Sequence, residues 1–214
     1  MKNKAAWENF KERHCSMVKH LIVFCHPDCH SLSAAYKDEV VRLTEKSGHC
    51  AIVRDLYNIG FHPELTLEDM AAIRMGDIPV EIKLEQDYIL EADLITLIYP
   101  IWWTGMPAVM KGYIDRVFSN GFAYEVGPSG ELRGLLNGKK VMILNNFGHS
   151  FDYYEETGIL DALRKTSDTG IFDFCGMNVV GHHFFGHLNG ASREERNGHI
   201  KILPSVYEKF LPSR

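Results

Sequence analysis

The chain has 214 residues, 45% of them hydrophobic and 24% charged, and its 23 basic and 28 acidic side chains give a formal charge of -5. These proportions exclude collagen-like, coiled-coil and intrinsically disordered classes, and the size predicts one large domain. No basic run marks a nucleic-acid surface, and no window reaches the roughly 18 apolar residues of a membrane span.

The first 18 residues are polar and charged up to Cys15, and they read as a tail or an extra surface helix ahead of one domain over 19–214. They hold no apolar core of a secretory signal, and the five cysteines (15, 25, 29, 50 and 175) are odd in number with no CxxC pair. Reduced thiols and a cytoplasmic location are the expectation.

HLIVFC (20–25) opens a series of short, solidly apolar runs without period-two alternation, as in strands buried on both faces of a parallel sheet. Leu32, Tyr36, Val40 and Leu43 form one stripe of an amphipathic helix, and AIVRDL (51–56) reads as an outer strand. Thr66 with Asp69 predicts a helix cap with an acidic third residue. ADLITLIYP (92–100) is the next buried strand. Behind Pro107, the ridges Val109-Tyr113-Val117 and Met110-Ile114-Phe118 then predict a helix. KKVMILNNF (139–147) and NVVGHHFFG (178–186) complete the strands. Ser192 with Glu195 caps a last helix, which Gly198 and Pro204 are expected to break.

Strand and helix alternating five times predict an α/β, doubly wound, five-stranded parallel sheet with right-handed crossovers and helices on both faces. Among the common strand orders, 2-1-3-4-5 fits five strands best, and ligands of such sheets bind at the carboxyl ends of the strands.

Three loops fall at that edge. Cys25-His26-Pro27-Asp28-Cys29-His30-Ser31-Leu32-Ser33 is neither GxGxxG nor a P-loop, but it sets hydroxyls and a helix start where a phosphate would sit; Ser31 reads equally as a plain N-cap. Tyr99 to Pro107 carries Trp102 and Trp103 between two prolines, a rigid apolar wall suited to a planar heterocycle and also explicable as core. Asn145 to Tyr154 offers amides, imidazole and phenols to a polar ring edge. Together the three describe a flavin site.

The segment YPIWWTGMPAVMKGYIDRVFSNGFAY (99–124) resembles the signature of the NAD(P)H:quinone reductases of flavodoxin-like fold. That family includes mammalian quinone reductases, bacterial modulators of drug activity and ancillary subunits of potassium efflux systems. The likeness extends through His26-Pro27 to Ser33, through Asp55-Leu56-Tyr57 with Phe61 and Pro63, and to Cys175-Gly176-Met177. It implies a homodimer holding FAD or FMN, with NADH or NADPH as electron donor and a quinone as acceptor. By the same likeness, His26, Ser31, Leu32 and Ser33 line the phosphate and ribose side, and Pro100, Ile101, Trp102 and Trp103 flank the isoalloxazine. Asn146, Phe147 and Gly148 meet its pyrimidine edge, with Tyr153 at the substrate side. Two positions depart from the family. Phe147-Gly148 replaces a pair of glycines, and Ile159 stands where vertebrate members carry a histidine, which leaves His149 as the substitute catalytic partner of Tyr153.

One pocket serving both donor and acceptor predicts ping-pong, two-electron hydride transfer. Two further readings share the fold: a flavodoxin-type electron carrier and a flavin-binding regulatory subunit docked on a membrane potassium-efflux transporter. A zinc site from Cys25, His26, Cys29 and His30 or from His182, His183 and His187 lacks two separated ligand pairs, so no metal is expected. Gly148 to Asp152 misses the second glycine of a serine-hydrolase elbow.

Overall fold

A computed structural model describes residues 17–213. The expectation for the N-terminal tail lies outside the described residues except at Met17 and Val18. The main sheet is built from β1 (Lys19–Phe24), β2 (Cys50–Asp55), β3 (Leu94–Pro100), β6 (Lys140–Asn146) and β7 (Asn178–Phe185). All neighbours in it are parallel, in the order β2-β1-β3-β6-β7. Counting only these five strands, that is 2-1-3-4-5. Each lies within two residues of the run expected for it, and the central strands β1, β3 and β6 are buried and apolar at nearly every position because both their faces are covered.

Alternating side chains feed two cores. On one face, Val23, Leu97, Val141 and Ile143 pack against α3 (Val80–Glu91), α4 (Ala108–Val117), α6 (Ile159–Arg164) and a π-helix, Lys165–Asp173. On the other, Ile22, Phe24, Ile98 and Leu144 pack against α1 (Leu32–Lys46) and α8 (Leu203–Tyr207). Tyr36 and Val40 of the expected α1 stripe are fully buried, while Leu32 and Leu43 lie half-buried at its rim.

The caps form as their chemistry dictates. Thr66 starts α2 (Leu67–Met75) and Ser192 starts α7 (Arg193–Lys201), each in a reciprocal capping box. Asp69 also joins two helices. Arg116 on α4 grips it with two bonds of 2.9 Å, and these hydrogen bonds, ahead of the cost of burial, hold its carboxyl below the usual carboxylate range. This clamp fixes α4 behind the tryptophan loop. Only one of the two expected breaks in the last helix occurs. Gly198 lies inside α7, and the chain restarts as α8 with Pro204 in its first turn, where the missing N–H costs nothing. A two-stranded antiparallel hairpin, β4 (Tyr124–Val126) with β5 (Leu132–Gly134), was not anticipated. No helix among the described residues is long and apolar enough to cross a membrane.

Candidate functional site

Because β1, β3 and β6 are adjacent and parallel, the three loops that follow them open at one edge of the sheet. They are also tied to one another. Ile101 N–H donates to Asn146 O at 2.8 Å, Asn146 Nδ2 donates to Ser33 Oγ at 2.6 Å, and the His26 and Trp102 rings lie 5.7 Å apart.

The first loop folds around its own polar atoms. His26 Nδ1 accepts from Asp28 N–H at 3.0 Å, Asp28 Oδ1 accepts from His30 N–H at 2.8 Å, and Ser31 Oγ caps α1 by accepting from Ala34 N–H. The cap leaves the N–H groups of Leu32 and Ser33, in the first turn of α1, without an intrahelical partner, at the positive end of the helix dipole. That donor set suits a phosphate. The Ser33 side chain itself is buried and turned to Asn146, so it contributes through its backbone. Cys25, just before the loop, is no nucleophile: burial pushes its thiol up to about 12.

The second loop is strained. Trp102 and Gly105 exchange two backbone hydrogen bonds of 3.1 Å around Trp103 and Thr104, whose φ values are 50° and 55°. This is the mirror-image hairpin turn usually given to Asn-Gly, and each bulky L-residue held there costs roughly 1–2 kcal/mol. Its effect is to stand Trp103 clear of the protein, fully exposed, while Pro100 and Ile101 stay buried below it. Strain kept at a ligand edge is characteristic of functional loops.

The third loop departs from the expectation that Phe147 meets a ring edge, because its side chain is core. Phe147 is 2% exposed and stacks on Tyr154, with centroids 4.1 Å apart and planes 8° apart. Its N–H and C=O are both taken, by Phe185 and Leu188. A Cβ on Gly148 would come within 2.6 Å of Asn189 Nδ2, so a side chain there would have to displace the exposed Asn189 side chain of the loop after β7. His149 and Tyr153 are exposed with ring centroids 4.0 Å apart, and His149 Nδ1 accepts from Ser150 N–H at 2.9 Å, which directs Nε2 outward. Ser150 is a helix cap, accepting from Tyr153 N–H, for α5 (Phe151–Glu156). Ile159 is half-buried against the core.

Sequence reasoning passed over one cluster beside these loops: Asn145, His182 and Asp168, joined by hydrogen bonds of 2.7 and 2.8 Å on His182. Its sign in the sequence was a pair of polar residues inside each of two apolar runs, Asn145-Asn146 and His182-His183.

Comparison with known proteins agrees with this architecture. The family described as having a flavodoxin-like fold matches residues 18–202. The chain is 38% identical over 186 residues to an uncharacterized NAD(P)H oxidoreductase of Haemophilus influenzae, covering 86% of this chain and 92% of that one. It is 29% identical over 202 residues to ribosyldihydronicotinamide dehydrogenase [quinone] of Pongo abelii, covering 85% and 87%. Among solved structures, NAD(P)H:quinone oxidoreductase from Methanothermobacter marburgensis superposes with a TM-score of 0.80 at 25% identity, over 91% of this chain and 98% of that one.

Proposed function

The chain belongs to the flavodoxin-like family, and from that membership we propose that it is a flavin-dependent NAD(P)H:quinone oxidoreductase working by ping-pong transfer through one shared site. One observation carries the flavin reading: three cross-linked loops meet at one sheet edge, with unpartnered N–H groups at the start of α1 and a fully exposed indole beside them. A flavin held there supplies reversible hydride acceptance.

The residues divide the work. Leu32 and Ser33 N–H groups would hold the phosphate, with His26, its Nδ1 engaged by Asp28 N–H, toward the ribose. Trp103 would cover a planar ring and, with Trp102, keep water from it, and the turn backbone at Trp103 and Thr104 would offer N–H groups to its edge. At the polar side, the paired Tyr153 and His149 would hold a proton for the edge where charge gathers. In a homodimer, the exposed apolar residues Val126, Leu132 and Phe174 would be covered.

The purified protein is expected to be yellow and to release flavin on denaturation, with mass spectrometry of the released cofactor separating FAD from FMN. Initial rates with NADH or NADPH and menadione should give parallel lines. A colourless protein that flavin cannot reconstitute, or intersecting lines, would overturn the reading.

A further inference from the structure

On the α4 side of the sheet, just beneath the tryptophan loop, lies a cavity of about 260 Å³. Ile101, Met106, Leu163 and Ile171 give it apolar walls, and Asn145 and His182 lie among its polar lining. The His182 side chain is 3% exposed, with Nδ1 2.8 Å from Asp168 Oδ1 and Nε2 2.7 Å from Asn145 Oδ1. Asn145 is fixed in orientation because its Nδ2 donates to Tyr99 O at 3.0 Å; a flipped amide would set oxygen against oxygen. Both atoms facing the imidazole are therefore acceptors. A neutral ring has one donor and one acceptor nitrogen, so only a ring with protons on both satisfies the two contacts.

The surroundings suit such a charge. The π-helix presents Asp168, and π-turns concentrate at functional sites. Phe184 stacks on the His182 ring at 4.0 Å and has the Arg164 guanidinium of α6 5.0 Å from its own centroid. Tyr99 on β3 is kept a neutral phenol by burial, and Lys111 on α4 is paired with Asp115 at 2.5 Å. His183, next on β7, is pushed down mainly by burial and then by the charges of His182 and Lys209.

We propose that His182 is a positioning residue for the cleft: as an imidazolium paired with Asp168 it holds Asn145, and through Asn145 the carbonyl of Tyr99. The two strand ends so fixed run directly into Pro100–Trp103 and Asn146–Gly148. The inference rests on the flavin reading for its consequence but not for its geometry. When the ring loses its Nε2 proton, a lone pair faces Asn145 Oδ1, the two acceptors repel, and the hold on Tyr99 loosens. Positioning therefore weakens as pH rises.

Nitrogen-15 NMR of the purified full chain, with no added flavin, tests the first half. Both ring nitrogens of His182 should be protonated at neutral pH, with slowly exchanging Asn145 amide protons; a single protonated nitrogen overturns the proposal. Flavin affinity measured from pH 6 to 9 tests the second. The parent should bind less tightly as pH rises, while Asp168→Asn should bind about tenfold less tightly at neutral pH and show a flat profile. His182→Gln, whose amide still donates to Asn145, should recover most of the loss seen in His182→Phe. Parent-like affinity and pH profile in Asp168→Asn overturn the proposal even where His182→Phe does not fold. A parent chain that takes up no flavin refutes the functional reading and leaves the NMR result to decide this one.

Discussion

At the amino end of the sheet, His20 is 1% exposed, with Thr44 Oγ1 2.8 Å from Nδ1 and Thr96 Oγ1 2.7 Å from Nε2. At the carboxyl end, His182 meets a carboxylate and an amide oxygen in the same two places. Hydroxyls donate or accept as needed, so a neutral His20 is fully satisfied. Thr44 donates to Val40 O at 2.8 Å and accepts from His20 Nδ1, and Nε2 accepts from Thr96, which accepts from Tyr207 OH at 2.9 Å. Burial, aided by the charge of His49, lowers His20 to about 3. The buried network around His20 is closed and satisfied by neutral groups, whereas the carboxyl end retains backbone strain. All three positive-φ residues other than glycine among those described, Trp103, Thr104 and His187, lie in loops at the carboxyl edge. The contrast separates residues that keep the fold from residues that keep the cleft.

Four changes would break or sharpen that contrast. The largest effect is expected from Thr96→Val, which strips hydrogen-bond partners from His20 and Tyr207 inside the core. It should cost about 3 kcal/mol in urea unfolding and leave flavin content unchanged; a loss below about 1 kcal/mol would remove the amino-end network as a stability element. Next is pH. The folded value of His20 lies below the unfolded one, so the unfolded chain takes up the proton first and stability falls as pH drops below about 6.5. Between pH 6.5 and 5 this contributes about 2 kcal/mol of loss. His20→Gln should flatten that part of the urea-midpoint curve, and an unchanged slope would assign the acid sensitivity elsewhere.

A third change acts at the opposite end and with the opposite sign. Thr104→Gly relieves a left-handed residue and should raise stability by roughly 1 kcal/mol while weakening flavin retention, since glycine keeps the turn but gives it more freedom to leave the conformation that stands Trp103 clear. Gain of stability with unaltered flavin affinity would show that the strain serves nothing. The smallest effect on stability is expected from Tyr153→Phe, on an exposed phenol: within about 0.5 kcal/mol. Turnover with menadione should fall by about tenfold or more at full flavin occupancy, and an unaffected rate would take Tyr153 out of the site.

The five sheet strands and three of the four hydroxyl caps, Ser31, Thr66 and Ser192 but not Ser150, were legible because each is written in neighbouring residues. The hairpin β4–β5 was not, since strands of three residues show no alternation. Nor was the π-helix, which has no composition of its own. That the three loops open at one edge followed from strand order alone. What the sequence concealed was which of their residues face outward. Trp103 and Thr104 are poor formers of the left-handed turn they occupy, and Phe147, next to an expected ligand edge, is core. Asn145 and His182 are 37 positions apart and meet only through the pairing of β6 with β7.

That pairing contains one irregularity. Val141 is opposite Val179, but Met142 is opposite Gly181, so Val180 is an extra residue on β7. Beyond it the alternation is offset by one: His182 and Phe184 face the cavity side, while Phe185 joins the core around α1. Val180 works like a single-letter insertion in a message read two letters at a time. Ironing the bulge out, so that Val180 met Met142, would keep every chemically active side chain and still turn the last third of the strand inside out, sending the imidazole of position 182 toward α8 and an aromatic ring toward Asp168.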